Sequence, residues 1–278
     1  MLFDSHLHIV DRTRLNYPWL AGSGALNRDS LYDDYALEAK RCGITGVLHM
    51  EVDVDPSDIE PETEYVRELG ARSDSLIRGA IAACRPEDTD FPWYLERVLA
   101  DPFVKGLRRV LHVVPDELST RPLFRENLSL MAETRLTFDL CVLPHQIEHA
   151  IALVDLNTEV RFILDHCGVP AIKDSMSEAW QNGIREIARR QNVSVKISGV
   201  VAYADPQSWT VETLRPFIEH SIACFGWDRV IWGSDWPVCT LGGGLSTWVA
   251  ATHALIAGCS ESERARLYRQ NAQRLWNL

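Results

Sequence analysis

No stretch of 18 apolar residues occurs in this chain, so no segment has the hydropathy of a membrane-spanning helix. The N-terminal segment, MLFDSHLHIV, carries neither a basic leader nor a long apolar core, and the expectation is a cytoplasmic protein with no membrane partner. Clustered Lys and Arg are missing as well. The 28 basic and 39 acidic residues leave a formal net charge of −11, which argues against a phosphate-binding surface and a nucleic-acid partner. The seven cysteines are odd in number and scattered at 42, 84, 141, 167, 224, 239 and 259 without a CxxC pair, so free thiols are expected. Several lie in apolar runs such as IAAC and FDLCV, where a small buried hydrophobe is the expected role. There is no GxSxG nucleophile elbow, no HExxH zinc helix, no GxGxxG following a strand and no GxxxxGK[ST]. The triplet Gly242–Gly244 therefore reads as a flexible turn that lets its loop move rather than as a phosphate loop.

What is present is the material of a soluble globular protein: 46% hydrophobic and 24% charged residues. Short β-branched runs recur at intervals of about 30 residues. They are LFDSHLHI (2–9), TGVLHMEV (45–52), LIRGAIAAC (76–84), VKGLRRVLH (104–112), LTFDLCVL (136–143), VRFILDHC (160–167), VSVKISGV (193–200) and RVIWGSDW (229–236). Most are separated by segments of helical periodicity, among them SLYDDYALEAKRCG, FPWYLERVLAD, EAWQNGIREIARRQ and VETLRPFIEHSIACFG. Eight strands alternating with helices predict an α/β fold, a (β/α)8 TIM barrel formed as a single domain over 1–278, with a doubly wound open sheet as the alternative.

Barrels of this kind carry their chemistry at the C-terminal ends of the strands. Strand one ends His6-Leu7-His8, and side chains two apart on a strand share a face, so both imidazoles can enter the mouth. Strand six ends Asp165-His166, with His166 on the parity of Phe162 and Leu164, and strand eight ends Gly233-Ser234-Asp235, with Asp235 on the parity of Ile231. Three imidazoles and a carboxylate, His6, His8, His166 and Asp235, suit Zn2+ or a similar divalent ion that leaves a position for water. Water held beside Asp235 would be acidified and would meet a general base there, and the chemistry implied is hydrolysis.

FDSHLH, LDHCG, VKISG and GSDWPV together resemble the amidohydrolase superfamily. GLRRVLH, FDLCVLPHQ, GSDWPV and the closing NAQRLWNL resemble its lactonase branch more narrowly. The resemblance implies the barrel, a hydrolytic water with Asp235 as its base and His166 in a catalytic role. The implied substrate is a lactone, first a sugar (aldono-1,4-) lactone such as L-fucono- or L-rhamnono-lactone. Non-oxidative decarboxylation of an aromatic or enoic acid on the same site is the alternative. Binuclear members carry a Lys at the end of strand four, where this chain has Gly106-Leu107-Arg108-Arg109, so one divalent metal is expected, Zn2+ by its ligands. The branch also includes members that need no metal, and both states stay open.

Arg108 and Arg109 must point to opposite faces of a regular strand, and the resemblance favours Arg108 as the one that binds substrate. His112, on the same parity, is a substrate contact or a loop histidine. Lys196 shares its face with Ser194 and Ser198, and reaches the substrate or pairs with a carboxylate such as Asp4, the former being preferred. The resemblance places His145 at the substrate in a catalytic role. Trp19 and Trp236 are candidates to wall a sugar ring or to pack a lid. The sequence leaves open whether the chain forms a homo-oligomer.

Overall fold

The computed structural model describes residues 1–278. All eight expected strands form: β1 Leu2–Leu7, β2 Ile44–Met50, β3 Ile77–Ala83, β4 Val104–Val110, β5 Thr137–Cys141, β6 Arg161–Leu164, β7 Val193–Ser198 and β8 Val230–Gly233. They pair in parallel in strict sequence order, which excludes a doubly wound sheet. Between β8 and β1 the barrel is joined just past the strand end, where Asp235 N–H donates to His6 O and His8 N–H donates to Trp236 O, both at 2.8 Å.

The connecting helices are α1 Tyr32–Arg41, α2 Ile59–Gly70, α3 Phe91–Ala100, α4 Pro122–Ser129, α5 Ile147–Leu156, α6 Glu178–Ala188 and α7 Val211–Phe225. They are followed by α8 Leu245–Leu255, α9 Glu261–Ala265 and α10 Asn271–Trp276. None is long and apolar enough to cross a membrane. α6 shows why such segments fold as they do: Ser177 caps its first turn by accepting from Trp180 N–H, and Trp180, Ile184, Ile187 and Ala188 form one buried stripe. α8 was not among the periodic segments in the sequence, because it buries Leu245, Trp248, Val249, Ala251, Thr252 and Leu255 and so has little amphipathic contrast.

The strand faces that point outward pack under the helices in one large apolar layer. The inward faces contribute Phe3, Leu48, Met50, Ile81, Ile163 and Ile231, and these meet Ala272 and Trp276 of α10. The closing helix therefore plugs the N-terminal end of the barrel, with Trp276 Nε1 donating to Thr137 Oγ1 at the start of β5. With that end filled, access is left to the C-terminal mouth.

The glycine triplet after β8 is packed rather than loose. A Cβ on Gly242 would lie 2.4 Å from Val201 O, while Gly243 and Gly244 take positive φ at the start of α8.

Candidate active site

Above the apolar plug the barrel interior turns ionic. Lys196 of β7 is fully buried, with Nζ donating to Asp139 of β5 and lying 3.1 Å from Asp165 Oδ1 and 3.3 Å from His6 Nδ1. Burial opposes its charge, but the two carboxylates outweigh that and hold the ammonium above its ordinary pKa. Of the two expected roles, the structure shows the pairing one: a fully buried ammonium requires counter-charge, and it meets two carboxylates inside the barrel. Asp4 is not one of them. β1 is irregular between Asp4 and Leu7, so Asp4 instead accepts from Tyr35 Oη of α1 and from Ser234 N–H, both at 2.7 Å, while His6 turns inward.

Arg108 does face the barrel axis, and Arg109 points the other way to Glu87 Oε1 at 2.8 Å. The Arg108 fork is nonetheless engaged. Nε donates to the Glu51 carboxylate, Nη2 to Glu51 O at 2.7 Å, and Nη1 lies 3.4 Å from both Asp165 Oδ2 and His6 Nε2. Burial disfavours its charge, yet Glu51 and Asp165 keep it firmly protonated.

The expected ligands gather above this layer. His8 Nδ1 meets Met50 O at 2.9 Å, which assigns the proton to Nδ1 and leaves the Nε2 lone pair free. That Nε2 lies 3.2 Å from His6 Nε2 and 3.3 Å from Asp235 Oδ1, and the third side of the triangle, His6 Nε2 to Asp235 Oδ1, is 3.7 Å. Donors about 2.0–2.2 Å from one tetrahedral ion lie about 3.3–3.6 Å apart, so these three residues fit a divalent metal. His166 departs from the expected set of four. Its Nδ1 meets Ser198 Oγ at 2.9 Å and lies 3.7 Å from Asp235 Oδ2, and the residue groups with His6 and Asp165 in a second, adjoining triad. Lys196 and Arg108 already neutralise Asp165 there, which disfavours a second divalent ion beside it.

Strand parity pointed to His166 and Asp235 through geometry that the chain does not use. β6 ends at Leu164 and β8 at Gly233, and both functional residues sit beyond the strands in left-handed backbone, His166 at φ 52° and Asp235 at φ 56°. Cys167 and Val169 continue the left-handed run, and a β-branched residue there is a strained one. Gly199, also at positive φ, supplies the matching gap. A Cβ there would fall 2.3 Å from Asp235 Cβ and 2.4 Å from Oδ2. Gly199→Ala is therefore expected to displace the Asp235 carboxylate and cut turnover by about 100-fold, the scale on which a misplaced catalytic group fails. Unchanged kinetics in that variant would show that the carboxylate position is not critical.

The remaining expected residues occupy the rim or the packing. His112 is half-buried, its Nδ1 3.1 Å from Cys141 Sγ, and burial, with Arg108 and His166 nearby, lowers its pKa to about 4, so it is neutral at pH 7. His145 is not brought to the inner cluster; its side chain is 61% exposed and pairs with Asp116 at 3.3 Å. Trp19 is 37% exposed in the loop after β1, its indole N–H donating to Val52 O. Trp236 does not wall the mouth, because the chain leaving β8 bridges to Leu7 and turns the indole against Tyr35, 5.6 Å between ring centres, within the helix-side core. Sequence reasoning passed over Asp139 and Glu51, which look like ordinary strand residues until the fold sets them beside Lys196 and Arg108. Asp165 and Ser198 were visible in LDHCG and VKISG as neighbours of residues already chosen.

A family model described as amidohydrolase matches residues 3–278. An L-fucono-1,5-lactonase of Burkholderia multivorans is 27% identical over 293 residues, covering 99% of this chain and 95% of the relative. A 4-sulfomuconolactone hydrolase of Rhizobium radiobacter is 26% identical over 241 residues, covering 84% and 75%. Among solved structures, an amidohydrolase from Burkholderia multivorans with bound zinc superposes with a TM-score of 0.89 at 24% identity, covering 100% of this chain and 99% of that one.

Proposed function

The chain belongs to the amidohydrolase family, and from that premise we propose that it opens a lactone ring by water attack, with Asp235 as general base. The substrate class we propose is a sugar lactone of the aldono-1,4 type, such as L-fucono- or L-rhamnono-lactone. One observation carries the assignment of the base. Of the five buried carboxylates around the cluster, Glu51 is held by Arg108, Asp139 by Lys196, Asp165 by both cations, and Asp4 by Tyr35 and the Ser234 and His6 amides; Asp235 faces only the imidazoles of His6, His8 and His166. A carboxylate directed at a fixed cation inside the barrel cannot turn to an attacking water, whereas no cation is directed at Asp235.

His6 Nε2, His8 Nε2 and Asp235 Oδ1 would hold one divalent ion, Zn2+ by the nature of the donors. When bound it supplies Lewis acidity toward water and the ester carbonyl. The chain's own residues do the rest. Met50 O fixes the His8 ring with its Nε2 lone pair toward the metal position, Ser198 fixes the His166 ring, and the His166 ring flanks the other oxygen of the Asp235 carboxylate. Asp235 removes a proton from the attacking water and returns it to the ring oxygen as the ester bond breaks, giving a hydroxy acid.

The test is acid release from a panel of aldono-1,4-lactones, pyrone dicarboxylate lactones and candidate aromatic or enoic acids, before and after chelation and with Zn2+ or Mn2+ returned. Turnover of a neutral sugar lactone is the expected result. Turnover confined to the dicarboxylate lactones would move the substrate class, and CO2 release without any lactone turnover would overturn the hydrolase reading in favour of decarboxylation. Elemental analysis is expected to find no more than one divalent ion per chain. Two would contradict the neutralisation of Asp165 by Lys196 and Arg108.

A further inference from the structure

The chain has seven tyrosines. Six of their hydroxyls have hydrogen-bond partners within the protein. Tyr17 bonds the Asp11 amide, Tyr32 the Leu76 amide, Tyr35 the Asp4 carboxylate, Tyr65 that of Asp11, Tyr94 the Ala83 carbonyl and Tyr268 the His253 ring. The seventh, Tyr203, has none. It is not on the open surface: the residue is half-buried, and its ring stands edge-on to His166 with 6.1 Å between ring centres. It ends the short turn Val200–Tyr203, which begins directly after Gly199, the residue whose missing Cβ makes room for the Asp235 carboxylate. Tyr203 thereby flanks both the His166 ring and the turn that leaves room for the Asp235 carboxylate. A phenol beside His166, in a protein that pairs every other tyrosine hydroxyl internally, has its O–H uncommitted to the protein and available to a molecule in the mouth.

We propose that the Tyr203 hydroxyl donates a hydrogen bond to the lactone carbonyl oxygen and stabilises the negative charge that grows there as water adds; this rests on the lactonase reading above. The cationic and imidazole side chains that the sequence offered for this task are committed elsewhere. Lys196 is sealed beneath His6, the Arg108 fork is directed at Glu51, Asp165 and His6, and His145 stands on the rim. In the reaction, the water oxygen bonds to the carbonyl carbon while its proton passes to Asp235. The carbonyl π pair moves onto the oxygen that Tyr203 faces. When that pair returns, the bond to the ring oxygen breaks and the ring oxygen takes the proton from Asp235. Tyr203 keeps its own proton throughout, so it acts as a donor and not as an acid.

Tyr203→Phe keeps the ring against His166 and removes only the O–H, and it is to be compared with the wild type on a lactone the wild type hydrolyses. The expected result is a fall in kcat of about 100-fold, the scale for loss of one oxyanion donor, with KM changed less than about threefold and the melting temperature unchanged. A cyclic phosphonate mimic of the tetrahedral state is expected to bind more weakly by a similar factor, while the hydroxy-acid product binds as before. Wild-type kcat in the variant would overturn the proposal, and so would a raised KM with kcat preserved, which marks ground-state binding. A wild type inactive on every lactone would instead overturn the lactonase reading, and the proposal with it.

Discussion

Asp235→Asn is expected to lower lactone turnover by about 10³–10⁴-fold, the upper part of the range for removing a general base, while leaving the melting curve close to that of the wild type. The amide has the shape of the carboxylate and retains an oxygen acceptor. Its NH2 can donate to the free Nε2 of His8, 3.3 Å away, so the neighbouring imidazoles are not left facing a void. The backbone that fixes the residue, Asp235 N–H on His6 O and Asp235 O accepting from Cys239 N–H, does not depend on side-chain charge. Lost are the basicity and one of the three converging metal donors, so metal affinity should fall with rate. Initial rates by acid release, paired with a thermal melt, separate the two quantities. Wild-type rates from a folded Asp235→Asn protein would remove Asp235 from the mechanism.

The second large effect is on stability. Lys196→Met is expected to cost about 3–5 kcal/mol, the scale for removing one partner from a buried ionic network. Met is similar in length and can lie over the Trp276 ring, where the Lys196 ammonium now sits 6.0 Å from the ring centre, so the loss is not one of packing. Asp139 would be left without a cation, and Asp165 with only the Arg108 guanidinium, in a fully buried layer. Asp139→Asn added to Lys196→Met should recover part of the loss by removing one of the stranded charges. Denaturant melts at fixed pH measure both variants. A cost below about 1 kcal/mol, combined with a strong kinetic defect, would return Lys196 to the substrate-binding role that its strand face suggested.

The positions of Lys196 and Arg108 also bear on the absence of a Lys at the C-terminal end of β4. The ammonium and Nη1 of the guanidinium approach the two oxygens of Asp165 at 3.1 and 3.4 Å, so the second donor group carries its positive charge in side chains. A single divalent ion then needs only His6, His8 and Asp235. His166 is left to position Asp235 from its other oxygen, 3.7 Å away.

The eight strands, their parallel order and the polar residues that end them were legible in the sequence, because a parallel barrel repeats a local pattern: a buried β-branched run, a turn and an amphipathic helix. HxH, DHC and SDW stood out because an ionisable side chain directly after such a run has few places to go but the mouth. The tertiary structure alone decided how those groups pair. Whether Lys196 meets Asp4, Asp139 or a substrate depends on the irregularity in β1 that turns Asp4 outward, and on Asp139 arriving from a strand 57 residues earlier in the chain. Trp236 packs under the helices and His145 stays on the rim because of the direction the chain takes on leaving β8 and β5. The value of Gly199 and Tyr203 appears only once Asp235 and His166 lie beside them. Strand and helix follow from side chains a few residues apart, whereas a charge buried in a barrel is settled by whichever opposite charges the closed sheet brings within about 3 Å, and no local pattern encodes that distance.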